Sequence, residues 1–152
     1  MTVTREPEPE IDPVFEGPVR SALARQDLAE WQLRTGDFWC HVQPPGARLR
    51  TQGWKLHLSA TPLSAPLVLA RSLEVLIGHR CTFKFAATLD RVEALVAPRY
   101  DRGSAGKFIT VYPELDDRGL RLLAEELHLA TEGLPGPATM KRLGNPAGAT
   151  PR

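Results

Sequence analysis

Cysteine is scarce in this chain, and charge of either sign is nearly balanced. The two cysteines, Cys40 and Cys81, lie far apart with no Cys-x-x-Cys pair, which excludes a zinc motif built on them. Each sits in an apolar, strand-like segment and reads as a buried thiol packing as a small hydrophobe. The histidines (His41, His57, His79 and His128) show no HxxxH or HExxH spacing, so no metal site is read from them. A net charge of +1 gives no broad field for nucleic acid or an anionic membrane, so any positive site must be local. No apolar run approaches the roughly 20 residues of a spanning helix. The N-terminal stretch from Met1 to Glu10 lacks the apolar region of a secretory signal, which makes the cytoplasm the expected location.

What remains is an ordinary globular composition, 42% apolar and 24% charged over 152 residues, sufficient for one domain with a real core. Residues 1–17 are acidic and proline-rich and read as a disordered arm, 18–143 as the folded domain, and 144–152 as a flexible tail. Within the domain, Val19, Leu23, Leu28 and Trp31 predict an amphipathic helix from Pro18 to Arg34. Strands follow at Phe38–Val42 and Trp54–Ser59. A helix is expected from the Thr61-Pro62 start signal to Gly78. Then come a strand at Thr82–Ala86, a helix at Thr88–Val96, a strand at Lys107–Tyr112 and a helix at Leu115–Thr131. Past Leu134-Pro135-Gly136-Pro137 no further strand is read. The strands are short and half polar, unlike the continuous apolar strands of a buried parallel sheet. The pattern predicts an α+β fold: a curved, mostly antiparallel sheet with helices packed on one side.

The chemistry-bearing pattern lies in those half-polar strands. In Trp54-Lys55-Leu56-His57-Leu58-Ser59 the apolar residues alternate with Lys55, His57 and Ser59, so lysine and histidine share the face away from the core. Thr82-Phe83-Lys84-Phe85-Ala86 repeats the device with Lys84. If the two strands lie close in one sheet, two amines and an imidazole share a surface suited to phosphate. Arg102-Gly103-Ser104-Ala105-Gly106-Lys107 combines flanking cations with glycines that free backbone N–H groups, as an anion loop would. Its spacing is not that of a nucleotide P-loop. Each feature taken alone is also what a solvated face or a flexible turn would show. Strict alternation puts Lys107 and Tyr112 on opposite faces of their strand, and a bulge or a loop position for Lys107 would reconcile them. The tryptophans read as core or edge packing, and His41, His79 and His128 as structural or surface residues.

Taken in order, Trp54-Lys55-Leu56-His57-Leu58-Ser59-Ala60-Thr61-Pro62, Phe83-Lys84-Phe85, Arg102 through Pro113 with its Gly106-Lys107-Phe108-Ile109-Thr110-Val111-Tyr112-Pro113 stretch, and Glu132-Gly133-Leu134-Pro135-Gly136-Pro137 closely resemble the N-terminal lyase domain of class III and class IV lanthipeptide synthetases. That family is similar in turn to bacterial effector phosphothreonine lyases. The resemblance covers roughly residues 20–140. It implies β-elimination of phosphate from phosphoserine or phosphothreonine in a precursor peptide, giving dehydroalanine or dehydrobutyrine, without a metal or other cofactor. It implies Lys84 as the base that takes the Cα proton and His57 as the acid that protonates the leaving oxygen. Lys55 would stabilise charge on carbonyl or phosphate oxygens, Arg102 and Lys107 would hold the phosphate, and Tyr112 would orient it. The implied partners are the phosphorylated precursor peptide and the kinase and cyclase domains or proteins of such synthetases, with no nucleic acid or membrane. Those domains usually continue into a further strand with a Tyr-Arg-Tyr-Gly-type motif, which Leu143-Gly144-Asn145-Pro146 does not offer. A non-catalytic phosphopeptide-binding or precursor-docking module is the alternative.

Overall fold

Asp12 and Pro13 together start the first helix. Asp12 accepts from the N–H of Val14 through its carboxylate, and through its carbonyl from Phe15 and Glu16. Proline at the first helical position gives up an N–H that would have no helical partner there. A computed structural model describes residues 11–25, 30–47, 53–97, 106–135 and 138–143, the last segment through its backbone. Helix α1 spans Pro13–Arg25. It therefore begins inside the segment read as a disordered arm. Pro18, taken from the sequence as the start, lies within the helix. Phe15 explains the difference: it is fully buried and packs against Phe85 and Phe108, with ring centroids 5.8 and 5.3 Å away. Burying an aromatic ring outweighs the single hydrogen bond lost at Pro18.

The chain continues through β1 (Gln32–Thr35), β2 (Trp39–Gln43), β3 (Gly53–Ser59), α2 (Ala65–Gly78), β4 (Thr82–Ala86), α3 (Leu89–Val96), β5 (Lys107–Tyr112), α4 (Asp117–Ala130) and β6 (Ala138–Leu143). Strand β1 occupies residues expected to be helical, and it pairs with β2 in a hairpin closed by the Gly36 N–H to the Trp39 carbonyl, 2.9 Å. Strand β6 is a second correction, because no strand was read beyond the Pro135–Pro137 turn. It pairs with β3 over six residues, from Gly53–Leu143 to Leu58–Ala138. A strand on a sheet border gets its pairing from backbone groups, so it needs no recognisable side-chain motif.

The six strands form one sheet in the order β1-β2-β4-β5-β3-β6, with every pairing antiparallel. This is the expected α+β class. One sheet face supplies Cys40, Val42, Leu56, Leu58, Phe83, Phe85, Ile109 and Val111 to a single buried cluster. Onto it pack Phe15 and Val19 of α1, Leu69, Leu73, Leu76 and Ile77 of α2, Val92 and Leu95 of α3, and Leu120, Leu123 and Leu127 of α4. Besides Asp12 at the start of α1, two further residues cap helices through their side chains: Thr88 accepts from the Arg91 N–H (3.2 Å), and Asp116 accepts from the Gly119 N–H (2.8 Å). Each such cap typically contributes about 1 kcal/mol. Thr61 caps no helix in this way; its hydroxyl accepts from the Ser64 N–H in the turn before α2. Packing helices on one face leaves the polar half of each strand on the other.

Candidate active site

Strand β5 lies between the two strands that carry the lysine–histidine pattern. Its Thr110 pairs with Lys84 on one side and with His57 on the other. Residues directly opposite on neighbouring strands share a face, so Lys84, Thr110 and His57 form one row. With strands about 4.7–4.9 Å apart, the backbones bearing Lys84 and His57 are about 10 Å apart, with Thr110 between them. The row continues from Lys84 to His41, and from His41 to Arg34. Two residues along, Tyr112 pairs with Thr82, and Lys55 lies one step beyond the Leu56–Val111 pair. Both therefore share the face of Thr110 and His57.

A register shift between Leu58 and Ser59 brings Lys107 onto the same face. Leu58 pairs with Ile109 but Ser59 pairs with Lys107, so Phe108 is an extra residue in β5. Phe108 and Ile109 can then both enter the core, where each is fully buried. Lys107 faces outward beside Ser59, as Tyr112 does further along. Gly106, at φ +71°, makes the turn into the strand, a backbone conformation that favours glycine. Its N–H bonds to the Leu95 carbonyl at 2.9 Å, and its own carbonyl accepts from the Ala60 N–H at 3.3 Å.

His57 and Thr110 are 5% and 4% exposed, and Nδ1 of the imidazole lies 3.2 Å from the Thr110 hydroxyl. That contact fixes the ring plane and engages Nδ1, and the other ring nitrogen, Nε2, is buried. Burial holds the Lys84 amine below the usual lysine range, and the nearby Lys55 ammonium lowers it further. Burial, Lys84 and Arg34 together lower His41, which favours its neutral form. Tyr112 is raised by burial and stays a phenol, able to donate a hydrogen bond. The Lys84 ammonium sits over the ring of Trp39, 4.5 Å from its centroid.

Charge is segregated in the fold. None of the 18 acidic residues falls in any of the six strands, whereas the strands carry Arg34, Lys55, Lys84, Lys107, Lys141 and Arg142. A chain of almost no net charge thus presents a sheet whose formal charges are all positive. Among the described residues no three His, Cys, Asp or Glu side chains gather as a metal site would require.

Of the residues singled out in the sequence, Lys84, His57, Lys55, Lys107 and Tyr112 come together on one face. Arg102 lies outside the described residues. Thr110, Trp39 and His41 were missed. Thr110 was signalled by a lone polar residue within Phe108-Ile109-Thr110-Val111, and Trp39 and His41 by alternation with the core-facing Cys40 and Val42. The missing information was that β2 pairs with β4, a contact skipping β3 and α2 along the chain.

The architecture is that of solved phosphothreonine lyases. One is a phosphothreonine lyase with which the chain shares 15% identity at a TM-score of 0.58, covering 95% of this chain and 79% of the other. Another is SpvC, the effector from Salmonella, at 15% identity and a TM-score of 0.52, covering 93% and 81%. Residues 19–145 match the model of the RamC N-terminal domain, and the chain belongs to that family. It is similar to a probable SapB synthase of Streptomyces coelicolor, 34% identical over 125 residues, which covers 82% of this chain but only 13% of that relative.

Proposed function

We propose that this chain is a phosphoserine/phosphothreonine lyase. It catalyses β-elimination of phosphate from a precursor peptide in lanthipeptide biosynthesis, leaving dehydroalanine or dehydrobutyrine. One observation carries the reading: Lys84 and His57 flank Thr110 in a single row, in a sheet whose strands carry cations and no acidic residue. The phosphorylated residue lies above Thr110. Neutral Lys84 takes the Cα proton, the C–H electron pair becomes the Cα=Cβ bond, and the Cβ–O bond breaks with its electrons going to phosphate. His57 protonates the bridging oxygen as it leaves. Lys55 stabilises negative charge developing on the carbonyl or phosphate oxygens, where fixed cations act without reorganising. Lys107 and Tyr112 hold and orient the phosphate, and Arg102 is assigned the same task by its motif.

Lowering of Lys84 by burial and by Lys55 supports its use as a base, because lysine accepts a proton only when neutral. In this reading the reaction runs in the cytoplasm without metal. A kinase supplies the phosphorylated residue, and a cyclase consumes the dehydrated one. The non-catalytic alternative drew on the missing final strand with its Tyr-Arg-Tyr-Gly-type motif; β6 supplies a strand after the Leu134-Pro135 turn, with the sequence Ala-Thr-Met-Lys-Arg-Leu in place of that motif. The test is to incubate a phosphoserine peptide with the protein in chelator and weigh the product. Loss of the mass of phosphoric acid is expected. A hydroxyl-bearing product would identify a phosphatase and overturn the proposal, as would unchanged peptide.

A further inference from the structure

An aromatic ring lies over the Lys84 amine: it belongs to Trp39, which stands on β2, outside the strands that supply the proposed acid and base. Trp39 pairs with Ala86, two residues from Lys84 on β4, so it reaches Lys84 diagonally across the strand pair. Ala86 opposite it is fully buried and small, which leaves the indole room to lie along the sheet toward the lysine. Phe38 packs against the indole from the preceding turn, ring centroids 4.9 Å apart, and Arg91 donates to the Phe38 carbonyl at 3.1 Å. The ring is thus braced from its own loop.

We propose that Trp39 is a positioning residue for Lys84, its indole face holding the ammonium in place between turnovers and governing how readily it gives up its proton. This rests on the lyase reading for its kinetic consequences, but the pairing itself is a property of the resting protein. A cation over an indole face is attracted by the ring quadrupole, and tryptophan does this better than phenylalanine. Among the described residues the groups facing Lys84 are His41 opposite it on β2, with Arg34 beyond on β1, Thr110 and Tyr112 on β5, and Lys55 and His57 on β3. Burial and the Lys55 charge push the lysine toward its neutral form. Trp39 is the member that favours the ammonium, so it offsets them. A lysine tethered this way stays at the edge of the row, ready to receive the Cα proton, instead of sampling its many rotamers.

The experiment compares the wild type with Trp39→Phe and Trp39→Leu, two apolar replacements of similar volume that differ in the π face. Competitive labelling of Lys84 by acetic anhydride as a function of pH, read by mass spectrometry without substrate, gives the midpoint of its ionisation. The midpoint should fall in the order wild type, Phe, Leu, with Leu about half a pH unit below wild type. With phosphoserine peptide, the Leu variant should lose about tenfold in kcat at nearly unchanged KM, its acid limb moving to lower pH, and Phe should recover most of the loss. Midpoints in this order with no elimination even by wild type would keep the Trp39–Lys84 pairing and sink the lyase reading. Elimination by wild type with identical midpoints in the Phe and Leu variants would overturn the role assigned to Trp39.

Discussion

Lys84 accepts a proton only as a free amine, so its neighbours decide the pH at which the proposed reaction starts. Burial lowers it first and the Lys55 charge adds to this, hence activity should rise with pH through a lowered lysine ionisation. Replacing Lys55 by Met removes the like charge, so the acid limb of the pH–kcat profile should move to higher pH; a limb that stays or moves down contradicts the coupling. Lys84→Ala should cost roughly 10²–10⁴-fold or more in kcat while phosphopeptide affinity, measured by titration, changes little, because the base acts on carbon and not on phosphate. The cysteines give a stability prediction of definite sign. Burial pushes Cys40 and Cys81 up to about 12 from 9.0, so the unfolded chain loses these protons well before the folded one does. The stability they confer is complete below pH 9.0 and drains away as pH rises toward about 12. Denaturant midpoints should fall from about pH 8 to about pH 11, and less steeply in a Cys40→Ala/Cys81→Ala variant. At this scale the sequence was most legible: alternation alone placed Lys55, His57 and Lys84 away from the core. Thr110 and Trp39 stayed hidden because their importance comes from which strand lies beside which.

Among the elements, α1 and β6 tie the ends of the described domain to the sheet, and both escaped the sequence reading for physical reasons. Pro18 imitates a helix start, whereas the true start uses the Asp12–Pro13 pair and is held by Phe15 in the core. Phe15→Ala should therefore destabilise by about 3–5 kcal/mol in chemical denaturation, the usual cost of emptying a buried aromatic site. A loss below about 1 kcal/mol, the scale of an exposed site, would mean that this helix is not part of the core. Strand β6 borders β3, the strand bearing Lys55 and His57. Truncation after Pro137 would turn β3 into an edge with unpaired backbone groups, and loss of monomer by light scattering is the expected result. Apolar spacing placed α3 and α4 to within two residues of their ends and Gly78 marked the end of α2, whose start lies at Ala65 rather than at the Thr61-Pro62 signal. The bulge at Phe108 was legible only as a conflict between Lys107 and Tyr112.

Over the whole molecule, the balance of charge hid the decisive electrostatic feature. A net charge of +1 gives no hint of a cationic sheet, since none of the acidic residues falls in the six strands. Composition cannot reveal such segregation; topology can, once the six strands are seen to share one sheet. Phosphopeptide affinity should accordingly weaken as salt rises from low to physiological concentration, where the screening length shrinks to about 8 Å. An affinity indifferent to salt would argue against a site built on charge.

Elimination, unlike hydrolysis, must break the Cα–H bond of the phosphorylated residue. A peptide carrying deuterium at that position therefore puts the central claim to its most direct test. The cationic row predicts a phosphate-free product that has lost the deuterium, formed more slowly than from the protiated peptide when chemistry limits the rate, and not formed by Lys84→Ala. A phosphate-free product that retains the deuterium would mean that no base acts at Cα, and that the face formed by Lys84, Thr110 and His57 performs some other chemistry.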